Sequence, residues 1–157
     1  MNKMVMILIS LIIIVVLFVS GYFFFGLIPS EELKVTKLLL GDRSIEVEIA
    51  DTIAARARGL SYRTNLAENK GLYFVFGRPA RQTFWMKDMS FPIDIIWIRE
   101  GKIVGIEKNV EPQPEAQVWQ LRTYSPPEDA DRVLEVNAGW SDKNGIRAGD
   151  EVKLTSD

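Results

Sequence analysis

The stretch Arg81-Gln82-Thr83-Phe84-Trp85-Met86-Lys87, followed after a turn by Asp94-Ile95-Ile96-Trp97-Ile98-Arg99, decides the reading of the fold. Both halves are short and rich in aromatic and β-branched residues, which suit a pleated, half-buried surface. Two strands are predicted here. Side chains alternate across a strand, so Phe84 and Met86 share one face while Trp85 and Lys87 share the other.

Working outward, the same pattern repeats. Leu33 to Leu40 and Ser44 to Ala50 flank Gly41-Asp42-Arg43, which reads as a hairpin loop. In the second of these strands Ile45, Val47 and Ile49 alternate with Glu46 and Glu48, giving one buried and one wet face. Asp51-Thr52 supplies a helix N-cap, Ile53 to Arg58 the helix and Gly59 its stop. Gly71 to Phe76, Lys102 to Lys108, Val133 to Val136 and Asp150 to Leu154 add strands, and Trp140 to Gly145 reads as one helical turn. Glu111 to Asp131 carries Pro112, Pro114, Pro126 and Pro127 and reads as a long loop with at most one short strand. The expected fold is mainly β: a compact sandwich or barrel-like domain over residues 31–157, with one or two short helices.

Residues 1–30 are of another kind. Residues 4–30 hold no charged side chain. As a helix, Val5 to Ile28 spans about 36 Å at about 1.5 Å per residue, enough to cross a hydrocarbon core of about 30 Å. Tyr22 to Phe25 are bulky where a cleavage site wants small residues. An uncleaved signal anchor is expected, with a cleaved signal peptide as the alternative. Lys3 before the span favours an inside N-terminus, although Lys34, Lys37 and Arg43 follow it. The expectation is a single-pass membrane protein with an extracytoplasmic domain.

Composition narrows the chemistry. The 157 residues carry 19 basic and 21 acidic side chains for a net charge of −2, with no Cys and no His. That is no footprint for nucleic acid. Cys nucleophiles, His-based dyads, disulfides and zinc sites built on Cys or His are excluded.

Four segments together resemble a known family: Ala55-Arg56-Ala57-Arg58-Gly59-Leu60; Gly71-Leu72-Tyr73-Phe74-Val75-Phe76; Phe84-Trp85-Met86-Lys87-Asp88-Met89 with Pro92-Ile93-Asp94; and Gly145-Ile146-Arg147-Ala148-Gly149-Asp150-Glu151-Val152. In order and spacing they resemble the domain of unknown function 192 family, also called the UPF-0127 group, over about Lys34 to Leu154. The resemblance implies a small, mostly β domain, often preceded by a signal or anchor. It implies no catalytic residues, because the family has no established activity. The segment Glu111 to Glu128 departs from the expected pattern in length and proline content.

Four residues stand out as candidate ligand contacts. Trp85 and Lys87, pointing the same way, offer a platform for a sugar ring, a peptide or an anionic group; the bland alternative packs Trp85 into the core. Asp94, entering an apolar strand, orients a ligand with Lys87 or pins the turn by accepting backbone N–H bonds. Trp119 marks the apolar island of the long loop. Arg56 and Arg58 read as surface or bridging residues, the Glu128-Asp129-Asp131 cluster as a solvated loop, and Gly145 and Gly149 as positions for positive φ.

Without His or Cys, the open enzymatic schemes are a carboxylate pair, such as Asp94 with Glu107 or Glu135, a Ser90–Lys87 pair, and a carboxylate-only metal site. None rises above background, and no catalytic residue, metal or cofactor is assigned. The expectation is a binding or accessory module at the cell envelope. Its partner is the membrane through residues 5–28, with a glycan, a peptide or an envelope protein as ligand. The alternative is a small hydrolase working with carboxylates.

Overall fold

A computed structural model describes residues 32–155. The chain divides into two units, Met1–Glu32 and Leu33–Asp157, and all the described residues except Glu32 belong to the second. The expected membrane-spanning segment, residues 5–28, lies outside the described residues. Among the described residues no helix is long and apolar enough to cross a membrane.

The domain is mainly β, as expected. Strands β1 (Val35–Leu40) and β2 (Arg43–Ala50) form the predicted hairpin, with Gly41 at φ +56° in its turn. Helix α1 (Ile53–Arg58) follows, then β3 (Lys70–Ala80), β4 (Phe84–Trp85), β5 (Ile93–Arg99) and β6 (Lys102–Val110). A 3-10 turn at Val118–Gln120, β7 (Thr123–Tyr124), β8 (Ala130–Asn137), helix α2 (Trp140–Lys143) and β9 (Val152–Thr155) complete the described chain.

Seven strands form one sheet in the order β6-β5-β8-β3-β2-β1-β9, and β4 pairs with β7 in a separate ribbon. The architecture is a single curled sheet, a half-barrel, where the sequence left sandwich and barrel both open. At one end its two edges meet. The amide of Val152 donates to the Gly101 carbonyl at 2.8 Å and that of Ile103 to the Asp150 carbonyl at 2.9 Å.

One connection places the site. Strands β2 and β3 are neighbours and run parallel, so a hairpin cannot join them and a crossover is required. Helix α1 is that crossover. Thr52 caps it by accepting from the Ala55 amide at 3.1 Å, and Gly59 ends it at φ +54°.

Both faces of the sheet are covered, which makes the central strands apolar on both sides. Leu72, Phe74, Ile95, Trp97 and Val133 pack on the face under α1 and the β4–β7 ribbon. Leu38, Ile45, Val47, Ile96, Leu134 and Trp140 pack on the other face, with α2.

One sequence expectation needs correction. The strand over Arg81 to Lys87 shrinks to Phe84–Trp85. The residues beyond it are tied instead to the loop after α1. Ser61 Oγ donates to the Lys87 carbonyl at 2.8 Å and the Tyr62 amide to the Asp88 carbonyl at 2.9 Å, and Asp88 takes φ +56°. The proline-rich loop, in turn, is seated on the sheet. The Arg81 guanidinium donates to the Pro126 carbonyl at 2.6 Å. Pro127 lies so close over β6 that a Cβ on Gly105 would stand 2.8 Å from its Cδ, a contact only glycine permits.

Candidate functional site

The registers line up one row of residues across the sheet. Glu48 on β2 pairs with Leu72 on β3, Leu72 with Glu135 on β8, and Glu135 with Ile95 on β5. Aligned side chains share a face, here the one beneath α1. Glu135 therefore sits mid-sheet with the crossover helix above it.

Glu135 is buried, and its Oε2 has no hydrogen-bond partner. Burial pushes its carboxyl up to about 8, and the charge of Arg63 pulls back only weakly against that. Arg63 is already engaged. It donates to both oxygens of Glu48, at 2.7 and 2.6 Å, and that pairing holds the Glu48 carboxyl below its usual range. Near neutral pH the Glu135 carboxyl is thus mostly protonated, able to donate one hydrogen bond and to accept others.

Glu135 opens into a cleft of about 220 Å³ between α1 and the segment Gln82–Trp85. Aromatic rings form much of its lining. Phe84 stands edge-on to Phe74 at 4.9 Å and to Trp97 at 5.3 Å between ring centroids, which fixes it as the hub of the cluster. Trp85 lines the cleft and is 50% exposed. Gly59 lies over the floor; a Cβ there would meet the Phe74 ring at 3.5 Å.

The two arginines of α1 differ. The Arg56 guanidinium donates to the Val75 carbonyl at 2.9 Å and stacks over Phe76, 5.4 Å from its centroid. Arg58 is exposed and lines the cleft, and its side chain has no ion-pair or hydrogen-bond partner among the described residues.

Of the four residues singled out from sequence, the cleft includes Trp85 alone. Lys87 bonds its neighbour Asp88 at 2.5 Å, not Asp94, and that bond raises its ammonium above the usual range. Asp94 is 0% exposed and lies on the opposite face from Glu135. Its Oδ1 accepts from the amides of Asn109 at 2.9 Å and Gly139 at 3.1 Å, and its Oδ2 from Ser141 at 3.0 Å. It pins the end of β6 and the start of α2. Trp119 stands 81% exposed on the 3-10 turn and does not line the cleft.

The hydrolytic schemes lose their geometry. Asp94 and Glu135 cannot pair through a sheet, and Glu107 sits in register with Ile95 on the Glu135 row. The cleft lining holds one carboxyl, Glu135. A raised Lys87 is the reverse of what a base activating Ser90 needs. Each acid of the 128–131 cluster faces an arginine: Glu128 near Arg99 at 3.7 Å, Asp129 near Arg81 at 3.8 Å, Asp131 near Arg132 at 3.3 Å.

A larger depression of about 650 Å³ lies beside the β1–β2 hairpin. Two of its acids are already paired, Glu46 with Lys70 and Glu68 with Lys143. The smaller cleft is the candidate because it alone of the two ends on a buried carboxyl lacking a partner.

The sequence carried a faint sign of Glu135. It is the one acid inside Val133-Leu134-Glu135-Val136, a strand apolar on both faces. Nothing local marks Phe76, Phe84 and Arg58 as its neighbours.

The comparisons with known proteins agree with this fold. The model of the DUF192 family, described as "Uncharacterized ACR", matches residues 36–154. A crystal structure from Sinorhizobium meliloti 1021, provisionally named a transcription regulator, is 29% identical with a TM-score of 0.71. That alignment covers 78% of this chain and 95% of the other. A protein of unknown function from Novosphingobium aromaticivorans DSM 12444 is 28% identical with a TM-score of 0.71, covering 80% of this chain and 89% of its own. No curated protein matches the chain.

Proposed function

We propose that the chain, which belongs to the DUF192 family, is a membrane-anchored binding module whose ligand enters the cleft above Glu135. Residues 5–28 are its anchor, and the domain stands on the extracytoplasmic side at the cell envelope. The observation that carries the binding reading is the orphaned Glu135 carboxyl. Burying a polar group without a partner costs stability, and a ligand in the cleft supplies the missing partner. The half-exposed Trp85 and the unpaired Arg58 at the mouth are the residue types that anchor ligands. The long uncharged run at residues 4–30 supports the anchor. A net charge of −2 gives no support to a nucleic-acid role.

The lack of Cys makes topology directly testable. A single Val118→Cys substitution on the exposed 3-10 turn is expected to react with a membrane-impermeant maleimide in intact cells. Labelling only after permeabilisation would overturn the extracytoplasmic placement. For the cleft, a thermal-shift screen of the full chain against cell-wall fragments, short peptides and simple glycans is expected to give a hit. Its stabilisation should vanish in Trp85→Ala. A hit untouched by that substitution would place the ligand elsewhere.

A further inference from the structure

We propose that the cleft over Glu135 holds one neutral sugar ring of hexopyranose size, a ring face on Trp85 and a hydroxyl on the Glu135 carboxyl. The proposal rests on reading the cleft as a binding site and adds the chemical class of its ligand. Size sets the first limit. At about 220 Å³ the cleft is smaller than the roughly 300–1,000 Å³ of pockets for drug-sized ligands, so it accommodates one ring and not a folded peptide.

The floor sets the second. A wholly apolar ligand would seal the Glu135 carboxyl away from water and still leave Oε2 without a partner. The ligand must bring hydroxyl or amide groups. The mouth sets the third. A cation would have to pass Arg56 and Arg58, both in the lining. The rings that would have to cage it are turned on one another, Phe84 edge-on to Phe74 and Phe76. A full anion would suit the arginines at the mouth, but at the floor it would be desolvated at a cost that one hydrogen bond from the protonated Glu135 carboxyl offsets only in part.

A neutral polyol ring satisfies all three limits. Its C–H faces suit the exposed indole of Trp85, and its equatorial hydroxyls suit a floor carboxyl and rim groups that both donate and accept. Gln82 and Thr83 provide that rim, and Arg58 adds donors alone.

The test uses the full chain in a detergent without a sugar headgroup, in a Trp119→Phe background. Trp97 and Trp140 are buried, so acrylamide quenching then reports Trp85. The probes are glucose, galactose, mannose and N-acetylglucosamine, with sodium acetate and tetramethylammonium chloride as charged controls. At least one sugar is expected to shield Trp85 from acrylamide and to raise the melting temperature. Calorimetry should show its affinity at least tenfold weaker in both Trp85→Ala and Glu135→Met. Protection by acetate or tetramethylammonium and by no sugar would overturn the sugar assignment and leave the cleft as a binding site. Sugar binding unchanged in both variants would overturn it by locating the sugar elsewhere. Silence from every probe would also overturn it. If Glu135→Met is then no more stable than wild type, the cleft reading fails as well.

Discussion

Asp94 and Glu135 are two buried carboxyls on adjacent, hydrogen-bonded strands, one register step apart on opposite faces of the sheet. Asp94 receives three backbone N–H groups from the end of β6 and the start of α2. The Oε2 of Glu135 receives none. Two acids with nearly equal burial thus have opposite hydrogen-bond surroundings. The one whose lone pairs are filled by the chain holds the fold together. The one left unfilled, at the end of an open cleft, is the one on which the proposed binding site rests. Burial of an acid therefore does not identify a site; the count of its partners does.

The largest expected effect would break the comparison on the Asp94 side. Asp94→Ala leaves the amides of Asn109, Gly139 and Ser141 without their acceptor and is expected to cost about 3–5 kcal/mol, measured by urea unfolding. A loss under about 1 kcal/mol would mean that the three bonds do not hold the α2 end of the domain. The matching change on the other face carries the opposite sign. Glu135→Met removes an unpaired carboxyl, keeps the volume, and is expected to gain about 1–3 kcal/mol at pH 8. A destabilised Glu135→Met protein would make Glu135 a second structural acid and erase the contrast.

Titration sharpens the same point. The folded Glu135 carboxyl is raised to about 8 from a reference of 4.5, so between those values the unfolded chain has released a proton that the folded one keeps. Stability therefore falls as pH rises across that window and levels off above it. The advantage of Glu135→Met should shrink from pH 8 toward pH 5, read from melting temperatures in matched buffers. Glu48 runs the other way. Its carboxyl is lowered by the bond from Arg63, so its contribution is present above its unfolded value and is lost as pH falls through the folded one.

Arg63→Met tests how the two glutamates divide one cation. It should cost about 1 kcal/mol through the part-exposed Glu48 pair and move the Glu135 titration upward, followed by carboxyl NMR shifts. An unmoved titration would show that Arg63 does not reach Glu135. Trp85→Ala comes last, at about 0.5 kcal/mol or less, because the ring is half in solvent already. A large loss in the same unfolding assay would mark Trp85 as packing and not platform.

The local features were legible from sequence. Alternating Ile45, Val47 and Ile49, the Thr52 cap, the Gly59 stop and the positive φ of Gly145 and Gly149 all depend on groups a few residues apart. For Asp94 the sequence left ligand contact and turn pin both open, because its amide donors lie 15 to 47 residues away. The site was not legible. It depends on β2 and β3 running parallel, which carries α1 over the sheet, and on registers that put Glu48, Leu72 and Glu135 in one row.

The sequence by itself determined a mainly β domain, the family, the exclusion of His and Cys chemistry, and an uncharged N-terminal run. Only the tertiary structure decided which acid is satisfied. Periodicity and capping act over a few residues and are written in the local chain. Competition for a cation is settled by distance between strands, and here Glu48 wins Arg63 and leaves Glu135 without a partner.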